Sequence, residues 1–380
     1  MHSFLLAGNM NPRISDIVEI IDVIAPFRLA EEWDNVGLQV GDPVAKASKI
    51  MVSLDTGEEA IDAATDNGCQ LLLTHHPLIL HPQKIVDLAT PSGLLLAKAI
   101  RHSLNIVSLH TNYDIALGGI NDLLAERLGL VSSAPLTVGH MEHLVKLAVF
   151  VPKGHEEKVM GALFKFSGFI GNYSECSFLT SGTGTFRPNS GARPFIGSIG
   201  TREYAEETKI EVLLREKDVD AVMVALTAAH PYEEPAVDLF RLANRGPRTG
   251  LGRIGDIPCP VSLRELAARI KEEFSLEGLR YVGDGDRVIR KISLCGGSGA
   301  SLVNQASRLG ADVLVTGDVK YHDARDAMGL GLGLIDMGHF ASEILMVNGL
   351  IKRLETEMQA RGFMAELMAC ETERDPYRYL

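Results

Sequence analysis

The run Gly68-Cys69-Gln70-Leu71-Leu72-Leu73-Thr74 returns, class by class, as Gly310-Ala311-Asp312-Val313-Leu314-Val315-Thr316. In both copies a helical stretch ends at glycine. An apolar strand and a threonine follow, then a polar turn: His75-His76 in the first copy, Gly317-Asp318 in the second. One strand later each copy presents a histidine, His110 and His339. A repeat of whole strand-helix units points to an internal duplication. With 380 residues the chain is too long for one ordinary core, so there is room for both copies and more.

Around each copy, β-like apolar runs alternate with helical periods, the pattern of an α/β layer. The first zone, 11–138, reads as strand 50–54, helix 57–67, strand 71–74, helix 94–102, strand 106–110 and helix 120–128. The third zone, 246–380, reads as strand 292–295, helix 301–309, strand 313–316, helix 321–328, strand 332–336 and one long helix 340–359. Between them, 139–245 reads β-α-β-β-α-β, the split arrangement of a ferredoxin-like unit. Pro/Gly-rich edges at 135–139 and 246–252 are suitable insertion points. The expected fold class is therefore α/β: two similar halves, 11–138 and 246–380, forming one discontinuous domain, with an inserted ferredoxin-like α+β domain at 139–245. Residues 1–9 precede the patterned sequence and read as a disordered extension.

Bulk chemistry narrows the function. The balance of 37 basic and 49 acidic residues, −12 overall, opposes phosphate backbones and anionic lipid, and no Lys/Arg run offsets it. Direct nucleic-acid or membrane partners are not expected. The five cysteines form no C-x-x-C pair, which fits a reducing compartment and buried apolar roles. With no signal-peptide pattern and no run of roughly 20 apolar residues, a cytoplasmic location is expected.

Three clusters carry chemistry, each at a strand end, where open α/β sheets bind ligands. Thr74-His75-His76-Pro77 offers adjacent imidazoles that a turn at Pro77 can aim into one cleft. His110-Thr111-Asn112-Tyr113-Asp114 adds an imidazole and a carboxylate, although Asp114 would also suit a helix cap. In Gly338-His339-Phe340-Ala341-Ser342-Glu343, His339 and Glu343 sit at i and i+4 on one helical face. Imidazoles with carboxylates and no thiolate suit Zn, Mn, Fe, Ni or Co in a site open to water. His75, His76, His339, Asp114 and Glu343 are too many ligands for one four-coordinate ion. They suit two ions roughly 3.5–4 Å apart, sharing one carboxylate.

Other motifs are weaker. Cys295-Gly296-Gly297-Ser298-Gly299 lacks the dinucleotide-binding spacing and reads as a tight turn. His322, in Gly317-Asp318-Val319-Lys320-Tyr321-His322, reads as a support for a ligand or a proton carrier, and Lys320 as a substrate anion contact. Thr183-Gly184-Thr185 lacks the lysine of a phosphate loop, and His230-Pro231-Tyr232-Glu233-Glu234 reads as a helix stop and turn. Trp33 reads as packing beneath the site.

These motifs, with Glu32-Trp33-Asp34-Asn35-Val36-Gly37-Leu38-Gln39-Val40-Gly41, resemble the NGG-interacting-factor-three-like proteins, also known as type 2 GTP cyclohydrolase I homologues. The resemblance runs over nearly the whole chain from about residue 11. It implies two related α/β halves around a dinuclear metal centre and, in bacterial members, hexameric rings. It carries the family's ligands onto His75, His76, Asp114, His339 and Glu343, with Glu343 as the bridge, and sets His110 and His322 near the metals. The insert is similar to the extra domain of the longer bacterial members, which looks like the signalling-protein and copper-tolerance trimer folds.

The expected function is a dinuclear metal-dependent hydrolase using a metal-bound hydroxide. His110 and His322 are the expected proton carriers, and the expected substrate is a small molecule such as a purine nucleotide, opened as by GTP cyclohydrolase I type 2. The alternative is a non-catalytic metal-handling or regulatory protein.

Overall fold

Leu71–Thr74 and Val313–Thr316, the two copies of the repeated run, are strands buried along their whole length. Burial on both faces is what a parallel strand between helical layers requires, and it explains why both runs are apolar up to the closing threonine. The computed structural model describes residues 10–380. The extension expected at 1–9 lies outside the described residues.

The first half contributes β1 (Gly37–Val40), β2 (Lys49–Ser53), β3 (Leu71–Thr74), β4 (Asn105–Ser108) and β5 (Val131–Pro135). The inserted stretch holds β6 (His140–Pro152), β7 (Ser177–Phe186), β8 (Glu203–Arg215) and β9 (Val237–Thr249). The second half adds β10 (Arg253–Ser262), β11 (Arg280–Val282), β12 (Val288–Leu294), β13 (Val313–Thr316), β14 (Gly333–Asp336) and β15 (Glu366–Ala369).

One sheet runs β1-β4-β3-β2-β15 and another β11-β14-β13-β12-β10-β5. β2, β3 and β4 are parallel with antiparallel β1 at the edge; β12, β13 and β14 are parallel with antiparallel β11 at the edge. The order β1-β4-β3-β2 is thus repeated as β11-β14-β13-β12, and the duplication is written in the topology. The fold is mixed α/β, as expected.

The halves are also interlocked. Helix Leu345–Ala360 follows β14, yet it packs Met346, Leu350, Leu354 and Met358 into the core of the first sheet, beside the isoleucine stripe of helix Ile14–Ile24. Each such isoleucine or leucine fully withdrawn from water contributes about 1.5–3 kcal/mol. The chain then adds β15 to that same first sheet. Reciprocally, helix Ile120–Arg127 follows β4 but buries Leu124 and Ala125 in the core of the second sheet, and β5 joins that sheet through β10.

Two local differences from the sequence reading matter for the site. The strand expected to reach His110 stops at Ser108, because the chain turns at His110 into the short helix Thr111–Ile115. The helix expected over 340–359 is two helices, His339–Glu343 and Leu345–Ala360, meeting at Ile344.

By Cα proximity the chain divides into Met1–His140 with Thr249–Leu380 and, separately, Met141–Arg248. The latter has sheet order β7-β8-β6-β9, with helices Glu156–Leu163 and Val219–Ala229. Alternate β6 residues Val145, Leu147, Val149 and Val151 form its core with Val159, Leu163, Val222 and Leu226. Among the described residues no helix is long and apolar enough to cross a membrane.

Candidate metal centre

The turn after β3 brings His75 and His76 together, their ring centroids 5.0 Å apart. Thr74 shapes it: its hydroxyl donates to the His76 carbonyl, as does that of Thr56. The turn at His110 sets a third ring 5.1 Å from His75 and 5.6 Å from His76. From the other half, Gly338 adopts φ 90° and starts the helix His339–Glu343, bringing His339 to 5.2 Å from His76.

Each of these histidines is tethered through Nδ1. His75 donates to the Leu109 carbonyl at 2.7 Å, His76 to Asp55 at 2.7 Å, His110 to Asp34 at 2.8 Å and His339 to Asp318 at 2.6 Å. Holding Nδ1 fixes the ring's orientation and turns Nε2 toward a ligand, the usual support around a metal.

Glu343 lies between the histidines with only 3% exposure. Its Oε1 is 3.7 Å from His75 Nε2, while its Oε2 is 3.2 Å from His76 Nε2 and 2.9 Å from His339 Nε2. Asp114, on helix Thr111–Ile115, sets Oδ1 3.7 Å from His75 Nε2. Two three-membered groups result, His75–Asp114–Glu343 and His76–His339–Glu343, and a third joins His110 to His75 and His76.

His75 Nε2 and Asp114 Oδ1 are buried without a hydrogen-bond partner. Buried polar atoms left this way are costly unless something else satisfies them. Ligand atoms about 2.1 Å from one ion stand roughly 3.4 Å apart in a tetrahedral shell, close to the separations seen here. The donor set and its spacing fit divalent cations.

The electrostatics agree. Burial pushes the Asp114 carboxyl up to about 7. Burial also opposes ionisation of Glu343, but the surrounding imidazoles outweigh it and hold that carboxylate well below its usual range. For His76, burial disfavours the charge, yet Asp55 and Glu343 raise it to about 10; Glu343 leads in raising His339 to about 9. A site that attracts protons this strongly attracts cations for the same reason.

The pattern of one protein family, Duf34/NIF3 (NGG1p interacting factor 3), matches residues 12–376. This chain belongs to the Duf34/NIF3 family. A Halalkalibacterium halodurans protein named GTP cyclohydrolase 1 type 2 homolog is 40% identical over 365 residues, covering 96% of this chain and 98% of its own. One of the same name from Bacillus subtilis is 38% identical over the same length, with the same coverage. A solved Bacillus cereus protein related to NIF3 matches at TM-score 0.91 and 38% identity, over 98% of this chain and 100% of its own.

In this Duf34/NIF3 chain the structure brings together His75, His76, His110, Asp114, His339 and Glu343. His322 stands apart, exposed on the first turn of helix Tyr321–Gly329, its ring edge-on to Tyr321 at 5.4 Å. Trp33 does not pack beneath the site: it is 56% exposed and meets His110 edge-on at 5.8 Å, because its neighbour Asp34 is the residue turned inward.

Sequence reasoning missed the roles of Asp34, Asp55 and Asp318. Asp34 and Asp318 lie inside the family motifs, so their place in the sequence was the available signal; Asp55, just after β2, had none. The glycine loop after β12 is a turn, and it also seats the helix His339–Glu343. Gly297 N–H donates to Ser342 Oγ at 2.9 Å, and Gly297 leaves no room for a side chain beside Glu343.

Proposed function

We propose that the protein holds two divalent cations, drawn from Zn, Fe, Mn, Ni or Co, and uses them as a hydrolase. The observation that carries this is the division of Glu343, whose two oxygens face different histidine groups. His75, Asp114 and Glu343 Oε1 would hold one cation; His76, His339 and Glu343 Oε2 would hold the other. When bound, such cations supply Lewis acidity and lower the pKa of a coordinated water toward neutrality.

The chain's own groups do the rest. His110, oriented by Asp34, is the residue placed to take and return a proton, an imidazole locked by a carboxylate. Of the two histidines expected in this role the proposal keeps His110, since His322 shows no hydrogen bond or ring contact to the centre among the described residues. Beside His76 and Asp55 lies a cavity of about 700 Å³ lined also by Arg374 and Arg378. The carboxylates Asp55, Glu59, Glu373 and Asp375 share that lining with the two guanidinium groups, and the relatives' name points to a purine nucleotide opened by hydrolysis as the substrate. The family resemblance implies a homohexamer in the cytosol; light scattering would check the hexamer and cell fractionation the location.

The test is to load the purified chain with each metal and follow GTP and other nucleotides for loss of purine absorbance and release of formate. Turnover that His339→Ala abolishes, with circular dichroism unchanged, supports the reading. A protein that retains two cations and turns over neither nucleotides nor esters is a metal-handling or regulatory protein instead.

A further inference from the structure

Two motifs of the inserted unit, Gly182-Thr183-Gly184-Thr185-Phe186 and His230-Pro231-Tyr232-Glu233-Glu234, take no part in the metal centre. Both line one cavity of about 380 Å³, a volume in the range that small-molecule ligands occupy. Its walls are aromatic: Phe150, Phe186, Phe195 and Tyr232, with the rings of Phe186 and Phe195 at 5.9 and 6.2 Å from that of Tyr232.

Among these rings stands the carboxylate of Glu207, on β8, only 9% exposed. The Tyr232 hydroxyl donates to its Oε1 at 3.0 Å. Its Oε2 lies where a side chain at Gly184 would be: a Cβ there would meet it at 1.9 Å. Glycine at 184 therefore makes room for the carboxylate in the wall. Burial and the neighbouring Glu207 both push the Tyr232 phenol up, so it stays a donor.

His230 builds the site rather than contacting a ligand. It is buried, which lowers its pKa and keeps it neutral. Its Nε2–H donates to the Phe150 carbonyl at 3.1 Å, and its Nδ1 accepts from the Tyr232 N–H at 3.1 Å. The histidine thus ties the Tyr232 turn to β6.

A carboxylate placed among rings is costly unless donors satisfy it, and the tyrosine hydroxyl supplies only one. Arg187 and Arg193 also line the cavity with Glu233 and Glu234; both arginines are exposed and neither side chain is ion-paired among the described residues, while Glu233 accepts the Arg193 backbone N–H at 2.8 Å.

We propose that this cavity binds a small planar aromatic molecule bearing an amidinium-like N–H pair for Glu207 and an anionic substituent for Arg187 and Arg193. The rings stack on the ligand's faces, and the carboxylate takes its paired N–H groups in a charge-assisted, bidentate contact.

Calorimetric titration of the full chain with 4-amidinobenzoate tests this, with benzamidine and benzoate as comparisons. The expected result is saturable binding that Glu207→Gln weakens at least about tenfold, the loss of a charged hydrogen bond. Arg193→Ala should weaken 4-amidinobenzoate and leave benzamidine alone. Tyr232→Phe keeps the ring, and a several-fold loss there carries the test if Glu207→Gln fails to fold. His339→Ala, which strikes the metal centre, should leave the affinity for 4-amidinobenzoate unchanged. Absence of heat at millimolar probe, affinity in the Glu207 and Tyr232 variants unchanged from that of the unsubstituted chain, or binding lost in His339→Ala would each overturn the proposal.

Discussion

Asp318 accepts the Nδ1–H of His339 at 2.6 Å from a backbone held at φ 55°, a left-handed conformation that few side chains tolerate. The strained residue is thus the one that aims His339 Nε2 at Glu343. Asp318→Gly keeps that backbone and removes only the carboxylate. It should weaken one cation, the one shared by His76 and His339, by about 10–100-fold. Chelator-competition titration reads this; unchanged affinity would mean the ring needs no such support.

The shared carboxylate and the unshared one should behave differently. Asp114 faces only the His75 group, whereas Glu343 faces both. Metal analysis of Asp114→Asn should find one cation retained per chain. Glu343→Ala should retain neither, with circular dichroism unchanged in both variants. Equal loss in the two would remove Glu343 from its bridging place.

Much of this centre was readable because its ligands come from strand ends in short local motifs. The i,i+4 pair His339–Glu343 is set on one face by helix geometry, and its side chains meet at 2.9 Å. The four-residue strands Leu71–Thr74 and Val313–Thr316 were legible because burial on both faces demands an apolar run, broken only by the closing threonine, whose hydroxyl is hydrogen-bonded. The exchange of the two terminal helices was not legible. Leu350 and Leu354 report that their helix is buried on one face, but an apolar stripe does not say which sheet it covers. Asp55 was illegible for a similar reason: a carboxylate after a strand looks like any solvated turn until His76 is seen to donate to it.

Without a cation the centre should hold protons instead. His76 and His339 are raised to about 10 and about 9, so both are charged at neutral pH, and metal binding must expel protons. The heat of loading should therefore vary with the buffer's ionisation enthalpy, and affinity should fall as pH drops. Both folded values lie above the ordinary 6.5. Their contribution to the stability of the chelated protein is then full below that value and fades as pH rises through about 9 and about 10. The chelated protein's Tm should decline across that window; a flat profile there would contradict the assignment.

Gly297 gives the sharpest separation of metal binding from folding. It sits at φ 59°, and a Cβ added to it would meet Glu343 Oε1 at 2.2 Å and Cδ at 3.1 Å. Glu343 is buried between its histidines, so it cannot swing aside without leaving them. Gly310, at φ 73°, has nothing within 4 Å of the same added atom. Alanine at either position incurs a left-handed strain of about 1–2 kcal/mol. Gly310→Ala should lower Tm and keep its cations, while Gly297→Ala should lower Tm and also lose the cation beside His75. Equal metal content in the two variants would show that Glu343 is not the group the glycine makes room for.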